Sequence, residues 1–258
     1  MEVRLPWVDI LLQNIKEEYE KPKPRIIITE VGQEDYIYIS KVMNEPNSFD
    51  SSAFMKEATN YRLRKLISDN HTILSYTNTY NDMEEWFRVM RCLAGTRPTR
   101  VLFFGSEARR NLPEKHEPVA PININGGYTM RCDTTAIVIY RKEDAERVLI
   151  HELLHGLCSD PDLPIADLEA DTEAWAEIIM MAFKAQGKPD KWQRLMKKQV
   201  EHSVNQAKYV ERYHGVCDPN DYGWRYINGR LDVWSVLGIR IRKNKTLKKP
   251  RTLKLTID

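Results

Sequence analysis

Residues 145–157 read AERVLIHELLHGL, and His151, Glu152 and His155 form an H-E-x-x-H pattern inside that apolar run. On a helix, side chains four apart lie one above the other on the same face. Both imidazoles can therefore reach one metal ion, while Glu152, about 100° further round the helix, stands beside the ion's open coordination position. Metal-assisted hydrolysis requires this geometry: zinc lowers the pKa of a bound water to about 7, and an adjacent carboxylate takes the proton as the water attacks a polarised carbonyl.

The surroundings separate this pattern from a chance pair of structural histidines. TTAIVIY, residues 134–140, is a strong β-strand signal that passes through the short charged turn RKED straight into the histidine helix. Apolar residues surround both histidines, whereas chance matches fall mostly in polar, poorly periodic segments.

A third ligand is needed, and the next helical segment supplies acids. Glu169, Glu173 and Glu177 recur every four residues and form one stripe, with Asp171 well off it. Glu173, which has 17 residues between it and His155, is the first choice for the metal. Glu169 is the alternative, and Glu177 suits an outer position that accepts a histidine N–H. A solvated helix face explains Asp171 and Glu169 equally well.

The remainder of the 258 residues bounds the class. With 42% hydrophobic and 29% charged residues the chain can bury a core, which excludes global disorder. No apolar run approaches the roughly 20 residues a bilayer helix needs. The first twenty residues, broken by acids and amides, do not read as a signal peptide. Cys92, Cys132, Cys158 and Cys217 are widely spaced with no C-x-x-C pair, so four reduced thiols and an intracellular location are expected.

Short strands are expected at residues 25–29, 36–40, 100–104, 128–132 and 135–140, and helices at 51–68, 82–94, 142–157, 165–186 and 191–213. That mixture predicts an α+β fold: a small mixed sheet packed on the histidine helix and further long helices. Gly187 and Pro189 end the fourth helix, and Pro161 and Pro164 set a tight loop before it. The segment from Asp221 to Ile241 suits irregular packing or a last hairpin, with no legible function. Residues 1–242 read as a single domain and residues 243–258 as a basic tail. Residues 240–258 hold eight Lys or Arg and one Asp, giving +7 against −5 for the rest. The tail reads as a solvated extension able to make nonspecific contact with polyanions, and its lack of aromatic residues argues against base stacking.

The strand, the H-E-x-x-H helix and a glutamate on the following helix together resemble the zincin metallopeptidases in their gluzincin arrangement of two His and one Glu. The resemblance covers Thr134 to Phe183, about a fifth of the chain. It departs from the metzincins, whose longer motif needs Gly and His where this chain has Cys158 and Pro161. The phrases NGGYT, IYRKEDAERVLIHELLHGL and TEAWAEI are also similar to uncharacterised zincin-like proteins of large DNA viruses, which implies virion or host cytoplasm as the compartment.

The resemblance implies a zinc-dependent metallopeptidase acting on a peptide or protein substrate. His151, His155 and Glu173 (or Glu169) would bind Zn²⁺, and Glu152 would be general base and then proton donor. It also implies a substrate-pairing strand at 134–140 or 128–132, with Gly126 and Gly127 permitting close approach, although a plain hairpin turn accounts for those glycines as well. Gluzincin-like enzymes use a downstream Tyr or His to stabilise the oxyanion, which points to Tyr213 or His214 in KYVERYHGV; Tyr209 and His202 lie on the same helix. His71 and His116 read as surface loop residues. The contrasting possibility is a catalytically silent structural or interaction protein, such as a virion component, whose metal site stabilises the fold.

Overall fold

The computed structural model describes residues 5–44, 52–76, 83–241 and 247–257. In chain order its elements are α1 (Pro6–Glu20), β1 (Ile27–Thr29), α2 (Gln33–Asn44), α3 (Ser52–Ala58), β2 (Arg64–Ser68), β3 (His71–Ser75), α4 (Met83–Ala94), β4 (Thr99–Ser106), α5 (Pro121–Ile124), β5 (Gly127–Tyr128), β6 (Ile137–Arg141), α6 (Ala145–Gly156), α7 (Ile165–Ala185), α8 (Pro189–His214), α9 (Tyr222–Ile227) and α10 (Gly229–Val236). They fall into two compact units where the sequence suggested one: residues 21–108 with 126–159, and residues 1–20 with 109–125 and 160–258.

The first of these units is built on a six-stranded mixed sheet of order β1-β2-β3-β4-β6-β5, in line with the expected α+β class. β3, β4 and β6 run parallel, and the outer pairings are antiparallel. Parallel strands are covered on both faces and so read as continuous apolar runs. β6, IVIYR, is accordingly buried at every position. Alternation sorts its neighbours: Leu74, Leu102, Phe104, Val138 and Tyr140 pack with Ile39 and Val42 of α2 and Met55 of α3. The opposite parity includes Phe103, whose ring meets Trp86 of α4 at 4.9 Å. α6 lies against β6 and α4.

Two expected elements are replaced here. Residues 36–40 are helical, in α2, because Asp35, Ile39 and Val42 supply a buried helical face while Tyr36 and Ile37 point outward, 55% and 63% exposed. The helix expected over 51–68 ends at Ala58, and Arg64–Ser68 pairs with His71–Ser75 as a hairpin. Its two-residue loop is Asp69-Asn70, with Asp69 at φ 51°, a conformation Asp tolerates. His71 is consequently a buried strand residue, 1% exposed, whereas His116 is exposed as anticipated. The strand expected at 128–132 is limited to Gly127–Tyr128.

Cys132 and Cys158 form a disulfide, correcting the expectation of four thiols; Cys92 and Cys217 remain thiols. Their separation of 26 residues hides the pairing in the sequence, but the loop after β5 folds back onto the end of α6 and brings the Cα atoms to 4.8 Å. Closing a loop of that length stabilises the fold by roughly 3–4 kcal/mol in chain-entropy terms. The thiol argument for an intracellular location falls with this bond. Among the described residues no helix is long and apolar enough to cross a membrane.

The second unit is helical, with α7 packed against α1, α8, α9 and α10. α7 stops at Gln186 and Gly187, both at positive φ; the Gly187 N–H returns to the Ala182 carbonyl at 3.1 Å, and a Cβ on Gly187 would lie 2.6 Å from the Lys16 backbone nitrogen. Asp221–Ile241, expected to be irregular or a hairpin, contains two short helices. The basic tail is also corrected. Residues 243–246 lie outside the described residues, but Leu253 and Leu255 are fully buried beside Val119, Ile124, Ala207 and Val210. Carbonyl and amide groups at 254–257 bond to Gln199, His202, Gln206 and Lys184. The leucines alternate with polar residues, so one face enters the core while Lys248, Lys249 and Arg251 stay exposed.

Candidate metal centre

α6 begins where β6 ends, through a turn in which Lys142 N–H bonds the Ser106 carbonyl at 2.9 Å and Asp144 adopts φ 59°. Val148, Leu149, Ile150 and Leu153 are at most 2% exposed and fix the rotation of the helix. That rotation leaves His151, Glu152 and His155 nearly buried, at 7%, 6% and 9% exposure.

The two imidazoles converge. His151 Nε2 and His155 Nε2 are 3.1 Å apart, with ring centroids at 4.7 Å and planes at 78°. Tetrahedral zinc with Zn–N bonds of 2.0–2.1 Å places two ligand nitrogens about 3.3 Å apart, so the pair fits one ion with little rearrangement. Glu152 lies beside β5: a Cβ on Gly127 would sit 3.5 Å from Glu152 Oε1, and also 2.6 Å from the Val138 carbonyl oxygen and 2.7 Å from Val148 Cγ1. Glycine at 127 thus lets the backbone pass between β6 and α6, where any side chain would collide.

The acidic stripe of α7 belongs to the helical unit. Glu173 and Glu177 are fully buried, each with Oε1 3.5 Å from Arg230 Nη1 of α10. Arg230 also donates to Gln206 Oε1 at 3.2 Å and to the Leu255 carbonyl at 3.4 Å. Glu169, one turn earlier, is only partly buried. Its charge, together with burial as the larger cause, raises the Tyr222 phenol above its ordinary range. Tyr222 donates to Asn125 Oδ1 at 2.5 Å. The Asp171 carboxyl is raised too, by burial first and then by the charge of Asp160.

Tyr213 and His214 end α8. His214 Nδ1 lies 2.8 Å from the Glu117 carbonyl, which only accepts, so Nδ1 carries the hydrogen and Nε2 of the neutral ring is an acceptor. Tyr213 is half-buried, its ring tilted against that of Tyr209 with centroids 4.7 Å apart and the Arg212 guanidinium 5.5 Å over it. His202 is committed to the Lys254 carbonyl at 3.0 Å. Sequence reasoning missed Tyr222 and Arg230, both in the segment judged functionally illegible. No spacing rule links them to α7, because their partners come from folding rather than from periodicity.

No protein-family model, curated protein or solved structure matches this chain, so no family is assigned.

Proposed function

We propose that the protein is a zinc-dependent metallopeptidase that hydrolyses peptide bonds with Glu152 as general base. The observation that carries this reading is the convergence of His151 Nε2 and His155 Nε2 at 3.1 Å on a helix that also presents Glu152. The third ligand is inferred from the acidic stripe of α7, where Glu169 is favoured over Glu173 because the Glu173 carboxylate already faces Arg230.

Zinc held by His151, His155 and a carboxylate of α7 would supply Lewis acidity and acidify a water. Glu152 would be the general base for that proton and then its donor to the departing amine nitrogen. Oxyanion stabilisation requires a donor at neutral pH. A phenol such as that of Tyr213 carries such a donor, whereas the Nδ1 hydrogen of His214 is committed to the Glu117 carbonyl.

The test pairs metal analysis of the purified protein with cleavage of a diverse peptide library. About one zinc per chain is expected, and Glu152→Gln should keep the metal while losing hydrolysis. A zinc-loaded wild type that cleaves nothing in the library would overturn the peptidase reading and favour a fold-stabilising metal site.

A further inference from the structure

The carbonyl of His155 accepts two backbone hydrogen bonds from outside the regular helix ladder: from Cys132 N–H at 2.9 Å and from Cys158 N–H at 3.1 Å. The same two residues are joined by the disulfide. The covalent bridge therefore closes around the peptide of one candidate ligand, next to its side chain. Both half-cystines hold left-handed backbone conformations, at φ 69° and 57°. Cysteine has no preference for that region, and a linear chain would leave it.

One end of the bridge is anchored. Thr134 Oγ1 donates to the Pro98 carbonyl at 2.7 Å, Arg100 N–H to the Thr134 carbonyl at 2.9 Å, and Arg97 Nη2 to the Cys132 carbonyl at 3.0 Å. The loop carrying Cys132 is thus tied to the start of β4. The other end is the last turn of α6, where helices ordinarily fray. Gly156 lets that turn close on the loop: a Cβ there would lie 3.1 Å from the Asp133 carbonyl oxygen. Cys132 and Cys158 are both solvent-exposed, so a reductant can reach them.

We propose that the Cys132–Cys158 disulfide is a redox-controlled clamp that positions His155, and that its reduction weakens metal binding at the His151–His155 pair. This rests on the metal reading above. The reductant is a dithiol. Its thiolate attacks one exposed sulfur, the Cys132–Cys158 bond breaks, and the second thiol of the reductant displaces the mixed disulfide. Two electrons and two protons end on the two protein thiols, and the reductant leaves as its own disulfide. Freed from the bridge, Cys132 and Cys158 relax toward negative φ, their N–H groups turn from the His155 carbonyl, and the last turn of α6 loosens.

The experiment uses the full chain and zinc itself. Zinc affinity is measured by competition with a chromogenic chelator for three forms: oxidised wild type, wild type reduced and carbamidomethylated with reagents removed, and Cys132→Ser/Cys158→Ser. Capping or replacing the thiols prevents them from binding zinc. Amide exchange at residues 132 and 157–159 is read on the same samples, well below their thermal transitions. The expected result is a loss of affinity of about 10-fold or more, the cost of removing an outer support from a metal ligand, with faster exchange confined to those amides. If the serine variant fails to fold, the carbamidomethylated wild type decides. Equal affinity in oxidised and capped forms overturns the clamp while leaving the metal reading intact. Absence of zinc binding in every form, oxidised wild type included, overturns the metal reading and the proposal with it.

Discussion

Thr256 Oγ1 donates a 2.7 Å hydrogen bond to Glu177 Oε1, both groups fully or almost fully buried. Through this bond the last described residues of the chain reach the ion cluster of α7. Glu177 and Glu173 share Arg230, whose guanidinium also holds Gln206 and the Leu255 carbonyl. Both buried carboxylates meet this guanidinium, and hydroxyl and amide groups surround it, as buried charges require.

Loss of Arg230 is therefore costly. Arg230→Met removes the guanidinium that both buried carboxylates face, and breaking a buried pair costs about 3–5 kcal/mol. Urea denaturation should show that loss as a lower midpoint. Adding Glu173→Gln and Glu177→Gln to the same chain should recover part of it, since neutral amides need no counter-charge. A single-variant loss below about 1 kcal/mol would mean the cluster is not the sealed interior described.

The C-terminal segment should behave as part of the helical unit. Leu253 and Leu255 are 0% exposed, and full burial of a leucine contributes about 1.5–3 kcal/mol. Truncation after residue 246 should lower stability by at least about 3 kcal/mol, and Leu253→Ala with Leu255→Ala should reproduce most of the effect. Thermal unfolding that is unchanged by truncation would contradict the docking.

The parts of the fold legible in the sequence are those whose signal is local. β6 and α6 announced themselves because a fully buried strand and its helix carry unbroken apolar runs, and the histidine motif rides on one of them. Residues 36–40 resemble a strand because Tyr-Ile-Tyr-Ile is an unbroken β-favouring run, yet Tyr36 and Ile37 are exposed while Asp35, Ile39 and Val42 form a buried helical face. The hairpin of β2 and β3 has a local turn signal in Asp69-Asn70. The Cys132–Cys158 bond and the Arg230 cluster were not legible at all. Each joins residues remote in the chain, and only the folded backbone sets their distance.

His71 gives the sheet unit a pH dependence. Burial depresses its pKa from the ordinary 6.5, and Arg91 adds to this, while Asp69 and the Gly95 backbone oppose it without prevailing. Above pH 6.5 the ring is neutral in folded and unfolded chains, and its contribution to stability is complete. As pH falls below that value the unfolded chain takes up the proton first, so stability declines until the folded-state pKa is passed. His71→Leu should flatten the slope of stability against pH below about 6.5, measured by denaturant unfolding at each pH. Identical slopes in the two proteins would remove His71 as the source.

The choice of third ligand separates two carboxylates one helical turn apart. Spacing in the sequence favoured Glu173, but an oxygen of that carboxylate faces the Arg230 guanidinium, and a cation held there competes with a metal for its charge. Glu169 is partly buried, and its neighbour Tyr222, kept protonated by burial, presents a hydroxyl rather than a second negative charge. Glu169→Ala should therefore weaken zinc binding by at least the roughly 10–100-fold that follows loss of an outer-shell partner, with little change in the unfolding midpoint. Glu173→Ala should do the reverse, leaving Arg230 buried opposite a single carboxylate and lowering stability more than affinity. Titration with a chelator competitor and urea unfolding of the same two variants give both readings. If Glu173→Ala strips the metal while Glu169→Ala retains it, the ligand set reverts to His151, His155 and Glu173, and Arg230 becomes the residue that orients the third ligand from behind.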